Sequence, residues 1–171
     1  MAILITGGAG YIGSHVAKQL LEKGENIIIL DNLSTGSKEN LVTLSSIKKF
    51  KFIEENLNSL EKIEKIFIEN DINVIMHFAA SIVVPESILN PLKYYTNNTV
   101  NTINLISFAI KYRIEKFIFS STAAVYGEST NKLEIGISEN HPTTPINPYG
   151  MSKLMSEKAI IDVAKVNPSL K

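Results

Sequence analysis

Tyr149 and Lys153 stand four residues apart in the run Asn147-Pro-Tyr-Gly-Met-Ser-Lys153, a spacing that puts a phenol and an ammonium on one face of a helix. Such a pair can turn a tyrosine into a base. A phenol of ordinary pKa, near 10, is about one part in a thousand ionised at neutral pH, so using its phenolate costs about 4 kcal/mol unless nearby positive charge lowers that figure. Tyr and Lys at this spacing also occur on solvated helix faces, so the pair takes its weight from the rest of the chain. A second signature lies near the other end. Thr6-Gly-Gly-Ala-Gly-Tyr-Ile-Gly13 reads as Gly7-x-x-Gly10-x-x-Gly13 or as Gly8-x-Gly10-x-x-Gly13. Missing side chains let backbone N–H groups approach a pyrophosphate, and the following helix turns its N-terminus toward the negative charge. Asp31 follows Gly13 by eighteen residues, where a carboxylate can accept both hydroxyls of an adenosine ribose. A 2′-phosphate would meet a like charge there, and Asn32-Leu-Ser-Thr-Gly36 offers no arginine to compensate, so the signature favours NAD over NADP.

Positioning these groups requires strands that end where the glycines and Asp31 lie. Short apolar runs at 2–6, 26–31, 50–54, 73–79 and 116–122 alternate with stretches of helical period, the pattern of a parallel sheet. Strands one, two, four and five are rich in Ile, Leu, Val and Phe on both faces, as expected of parallel strands covered by helices on both sides. Helices are predicted over 11–23, ended by Gly24 in the left-handed conformation, from a cap at Asn58 or Ser59 to about Asn70, from Pro91 to about Arg113, and from Pro148 to before Pro168. The expected fold is α/β: a doubly wound, Rossmann-type parallel sheet with helices on both faces, forming one domain over 1–171. Between the fifth strand and the last helix, the segment 123–148 carries Gly127, Gly136, Pro142, Pro145 and Pro148, and loops of that length are usually functional. The chain stops after that helix, where a doubly wound fold normally returns to a sixth strand.

Composition narrows the partners. With 44% apolar and 20% charged residues and zero formal net charge, the chain has an ordinary globular makeup, and its scattered basic residues leave no footprint for nucleic acid. Absence of cysteine excludes disulfides and thiolate chemistry and fits a reducing cytoplasm. His15, His77 and His141 lack metal-ligand spacing, so each is read as structural or exposed and no metal is expected. The N-terminal run lacks a basic flank for export, and no apolar stretch approaches membrane-spanning length. A cytoplasmic protein with a small-molecule or protein partner is expected.

The glycine turn, Asp31 and Tyr149-x-x-x-Lys153 together resemble the extended short-chain dehydrogenase/reductase superfamily. Longer segments narrow the resemblance: Gly7-Gly-Ala-Gly-Tyr-Ile-Gly-Ser-His15, Asp31-Asn-Leu33, His77-Phe-Ala-Ala80, Pro91-Leu-Lys-Tyr-Tyr-Thr-Asn-Asn98, Phe117-Ile-Phe-Ser-Ser-Thr-Ala-Ala-Val-Tyr-Gly127 and Asn147-Pro-Tyr-Gly150. In these, over essentially its whole length, the chain is similar to the UDP-glucose 4-epimerases. The resemblance implies NAD as cofactor, a UDP-sugar as substrate and a homodimer formed through the helix after Pro91 and the helix bearing Tyr149. It implies Tyr149 as base, Lys153 as partner to the nicotinamide ribose and Thr122 as a hydrogen-bond partner of the reacting oxygen. Cofactor contacts are implied at Gly7, Gly10, Tyr11, Ile12, Gly13, Asp31, Asn32, Asn56, Leu57, Phe78, Ala79, Ala80, Asn97, Ser120 and Ser121, besides Tyr149 and Lys153. Asn56 stands where the family often has an aspartate, and Ile82 where some members have a lysine. Related 4,6-dehydratases follow the catalytic Ser or Thr with acidic residues, whereas here Ala123 and Ala124 follow Thr122, which favours epimerisation. The family is roughly twice this length, so the expectation is an NAD-binding portion without its C-terminal substrate lobe.

Overall fold

A computed structural model of the chain describes residues 1–128 and 136–171. Five parallel strands, β1 (Ala2–Thr6), β2 (Ile27–Asp31), β3 (Lys51–Glu54), β4 (Ile72–His77) and β5 (Lys116–Phe119), form one sheet in the order β3-β2-β1-β4-β5. The chain therefore winds outward from β1 to β3 and then crosses to the other side of β1. That reversal opens a crevice beyond the carboxyl ends of β1 and β4, where such folds bind ligands.

Period-two alternation divides the central strands between two cores. Leu4 pairs with both Ile28 and Ile75 on one face, and Ile5 pairs with Ile29 on the other. The second face is covered by α1 (Tyr11–Glu22), through Ala17 and Leu21, and by α2 (Lys38–Ser45), through Leu44. The first face is covered by α3 (Leu60–Glu69), through Ile63, Ile66 and Phe67. Beside α3 lies a continuous helical run over 91–111, made of α5 (Pro91–Tyr94), a π-helical segment (Tyr95–Val100) and α6 (Asn101–Lys111). Phe67 stacks on Phe108 and Tyr112 at 5.6 and 5.5 Å between ring centroids, joining these two layers. The longest helix, α7 (Pro148–Val166), lies against the same run.

Each predicted strand and helix is present, with ends shifted by a few residues. Gly24 follows α1 at φ +83° and Ser59 is the N-cap of α3. Two short helices escaped the sequence reading: α2, and α4 (Val84–Leu89). A 3-10 turn, Ala123–Tyr126, opens the long connection after β5, of which residues 129–135 lie outside those described. Covering of both faces, expected for four strands, does not extend to β5. This is an edge strand, and its Ile118 is 46% exposed. After α7 the chain does more than stop: Leu170 enters the core, and Lys171 pairs with the backbone of β5 through bonds of 2.9 Å to Glu115 and from Phe117.

Candidate functional site

One cleft of about 350 Å³ opens at the carboxyl ends of the strands, and every cofactor position expected from the sequence lines it. Its first wall is largely backbone. Gly10 is the N-cap of α1 and no side chain caps that helix, so its first N–H groups are free to meet an anion. Gly13 must be glycine here, because a Cβ would sit 2.2 Å from the Gly7 carbonyl oxygen. Tyr11 and Ile12 lie between them with largely exposed side chains.

Asp31 ends β2 at the back of this wall and is 8% exposed. Its Oδ2 accepts from the Ala9 amide at 3.0 Å and its Oδ1 from the Leu33 amide at 2.8 Å. A carboxylate has about four acceptor sites, so two remain for hydroxyls from the cleft. Asn32 adjoins it. At the far end lie Asn56 and Leu57. The Asn56 side-chain oxygen accepts from the Asn58 amide at 3.2 Å and keeps a second lone pair. Its neighbour Glu55 is anchored by Lys62 at 2.6 Å; that lysine, the Asn56 amide and the Ser59 hydroxyl hold the Glu55 carboxyl down to about 2.

The floor follows β4. Phe78, Ala79 and Ala80 line the cleft, and the Phe78 amide donates to Thr6 at 2.9 Å. Just beyond, Ser81 is held on three sides. Its amide donates to Asn98 Oδ1 at 2.8 Å, its carbonyl accepts from Asn98 Nδ2 at 3.0 Å, and its hydroxyl accepts from Asn97 Nδ2 at 3.0 Å. Both asparagines lie in the π-helical segment, a local widening that is frequent at functional sites. Asn97 faces the cleft, while Asn98 is 1% exposed.

The second wall is α7 and the end of β5. Asn147 caps α7 by accepting from the Gly150 amide at 2.8 Å, and Pro148 fills the first turn, so Tyr149 enters the cleft at the helix start. Gly150 permits this approach, since a Cβ there would lie 2.6 Å from the Ala124 carbonyl oxygen. The Tyr149 ring meets the buried Tyr94 ring edge-on, with centroids 6.3 Å apart. One turn on, Lys153 is 3% exposed, donates to the Ser120 carbonyl at 2.6 Å and lies 4.5 Å from the centre of the Phe119 ring. Burial pushes its ammonium down to about 8, with Glu157 opposing. Ser120 and Ser121 line the cleft beside it. Thr122 lies next to this wall rather than on it. Its oxygen accepts from the Ala124 amide at 3.2 Å, which leaves its proton free to be donated.

Behind both walls runs a buried polar chain that spacing did not reveal. His77, 1% exposed, bridges Thr6 Oγ1 at 2.6 Å and Thr102 Oγ1 at 2.8 Å. Thr102 gives its one proton to the Asn98 carbonyl at 2.6 Å, so His77 carries its hydrogen on Nε2 and accepts from Thr6 on Nδ1. Burial first, then the Lys153 charge, push this imidazole down to about 3. Asn98 also donates to Ser152 Oγ at 3.0 Å, and Ser152 donates to the Tyr149 carbonyl at 2.7 Å. The signal that could have found this chain was the polar run Asn97-Asn-Thr-Val-Asn-Thr102 in the register of a buried helix.

Fold and site together define a doubly wound parallel α/β fold whose cleft joins a glycine turn and the buried Asp31 carboxylate to a tyrosine–lysine pair. More specifically, the chain belongs to the family described as GDP-mannose 4,6 dehydratase, whose model matches residues 4–167. A UDP-glucose 4-epimerase of Azospirillum brasilense is 43% identical over 160 residues, 94% of this chain and 44% of that relative. Among solved structures, the UDP-Glc/GlcNAc 4-epimerase of Campylobacter jejuni is 50% identical with a TM-score of 0.94, over 99% of this chain and 51% of the other. The UDP-glucose 4-epimerase of Bifidobacterium longum, solved with NAD+ and UDP, is 37% identical with a TM-score of 0.93, over 100% and 51%. The chain spans about half the length of these relatives.

Proposed function

We propose that the chain is the NAD-binding portion of a nucleotide-sugar 4-epimerase that interconverts UDP-glucose and UDP-galactose, or their N-acetylated forms, in the cytoplasm. The observation that carries this reading is the meeting of Asp31, the glycine turn, Tyr149 and Lys153 on one cleft. The residues fit the cofactor: the uncapped helix end would hold the pyrophosphate, and Asp31 keeps two acceptor sites for ribose hydroxyls. Asn56 has a lone pair left for the adenine amino group.

A bound nicotinamide supplies the acceptor for a hydride from C4 of the sugar. Tyr149 would take the 4-hydroxyl proton as that bond breaks, leaving a 4-keto sugar, and, once the sugar has turned its other face, would return the proton to the oxygen as the same hydride comes back to C4, so that no net oxidation results. Lys153 stabilises the phenolate and holds the ribose. Thr122 donates to the reacting oxygen. No acid follows Thr122, since Ala123 and Ala124 stand there, which disfavours elimination of water and so a dehydratase. A non-catalytic NAD-binding module is disfavoured because it needs no buried lysine one turn from a tyrosine.

A homodimer through the run over 91–111 and α7 is part of this reading. Val100, Ile103 and Ile110 on one helix and Met151 and Met155 on the other are large apolar side chains left exposed. Among the described residues, no helix is long and apolar enough to cross a membrane.

Calorimetry with NAD and with UDP-glucose tests the binding half of the proposal on this chain. Product analysis on a chimera carrying the C-terminal half of the Campylobacter jejuni epimerase tests the chemistry. UDP-galactose is expected, and accumulation of a 4-keto-6-deoxy sugar instead would establish a dehydratase.

A further inference from the structure

Lys153 is buried against β5, yet its helix places a carboxylate one turn further on. The groups facing the ammonium are the Ser120 carbonyl and the Phe119 ring from β5, the neutral imidazole of His77 from β4, and Tyr149 and Glu157 from α7 itself. Tyr94, on α5, reaches the group only through its ring contact with Tyr149. Of these, Glu157 is the one carboxylate. It lies on the face of α7 that carries Tyr149 and Lys153, since positions four apart share a face. It also accepts the hydroxyl of Ser121 on the loop after β5.

We infer that Glu157 is a positioning residue for the tyrosine–lysine pair: its carboxylate stands one helical turn from the buried Lys153 as its counter-charge and, through Ser121, ties the loop bearing Ser120 and Thr122 to the helix bearing Tyr149. Two attachments, four residues apart on α7, then fix that loop: Lys153 to the Ser120 carbonyl and Glu157 to the Ser121 hydroxyl. The arrangement also sets what Ser121 can do in the cleft. With its one proton committed to Glu157, Ser121 presents only lone pairs, and so accepts from a hydroxyl or amide of a bound ligand instead of donating to it. Burial alone drives a lysine toward the neutral amine, and Glu157 opposes that drive.

This inference rests on the role given to Lys153 above, but Lys153 titrates whether or not a cofactor binds, so the two readings fail separately. The test is an NMR titration of the Lys153 side chain in the purified full chain, its resonance assigned with Lys153→Arg. Glu157→Gln keeps an oxygen for Ser121 and removes the charge. It is expected to lower the Lys153 midpoint by about half a pH unit or more, roughly a threefold change in the ratio of ammonium to amine at fixed pH. Glu157→Asp, which keeps the charge one methylene further back, is expected to shift it less and in the same direction. Ser121→Ala, which keeps the carboxylate, is expected to move it less than Glu157→Gln does. An unchanged Lys153 midpoint in Glu157→Gln overturns the inference. If that variant does not fold, an unchanged midpoint in Glu157→Asp overturns it equally.

Discussion

The wall formed by the glycine turn and Asp31 and the wall formed by Tyr149 and Lys153 are held in different ways. On the first wall, backbone does the holding: a turn without side chains, the free amides of α1, and a carboxylate oriented by the amides of Ala9 and Leu33. On the second, side chains hold side chains. Lys153 is clamped by Ser120, Tyr149 by the Ser152 and Tyr94 contacts, and these in turn by Asn98, Thr102 and His77. A backbone cradle suits a ligand that must be gripped without reacting. A side-chain network suits a group whose protonation must change, because each neighbour adds charge, burial or a hydrogen bond that moves a pKa.

The contrast is broken most directly at Tyr149. Tyr149→Phe is expected to reduce epimerisation in the chimera by about a thousandfold, within the usual range for losing a general base, while leaving NAD affinity within about threefold. Comparable losses of binding and turnover would mean that the two walls do not divide the work. Next in size is Gly13→Ala. Its new methyl would meet the Gly7 carbonyl at 2.2 Å, and forced backbone shifts of this kind cost about 1–3 kcal/mol. Calorimetry should show NAD binding weakened by about ten- to a hundredfold, and wild-type affinity would show that the turn is not the cradle. Asn98→Ala should do the reverse. It leaves the Ser81 amide, the Ser81 carbonyl and Ser152 without their partner, and unfolding in urea should register about 1–3 kcal/mol of lost stability. Unchanged stability would show that the network is incidental to the fold.

The same difference explains what was legible beforehand. Gly7, Gly10, Gly13 and Asp31 announce themselves by spacing, because a backbone cradle demands glycine at set intervals and an acid at the next strand end. Tyr149 and Lys153 were found by type and helical interval, and all the expected cofactor positions do line one cleft. Asn98, Ser152 and Thr102 are not marked by spacing: the polar run 97–102 signals one end of the network, but the partner of Asn98 at Ser152 lies more than fifty positions away. Coverage of β5 was overestimated for a related reason: apolar content shows that a strand can be buried on both faces, but not that a helix lies over each. The helix α2 was missed because its polar sequence buries only Leu44 and gives little amphipathic signal.

The smallest effect, and the most specific to the second wall, is a pH slope. His77 is buried as a neutral imidazole whose pKa is pushed from 6.5 down to about 3, first by burial and then by Lys153. The sign follows from linkage. Below about 6.5 the unfolded chain binds a proton at this histidine that the folded chain refuses, so stability falls as pH falls and goes on falling toward about 3. Within that window the contribution is about 1.4 kcal/mol per pH unit at most. Carboxylates also titrate there, so the comparison must be between the native chain and His77→Gln, in which their contribution is shared. Urea unfolding at pH 6.0 and 5.0 should show the native chain losing about 1 kcal/mol more than the variant over that unit. Equal losses would mean that His77 takes up its proton while folded, with both ring nitrogens donating and Thr6 Oγ1 accepting from Nδ1 instead of donating to it. Nothing comparable is expected on the glycine wall, whose contacts are made by backbone amides, and that asymmetry is what the measurement isolates.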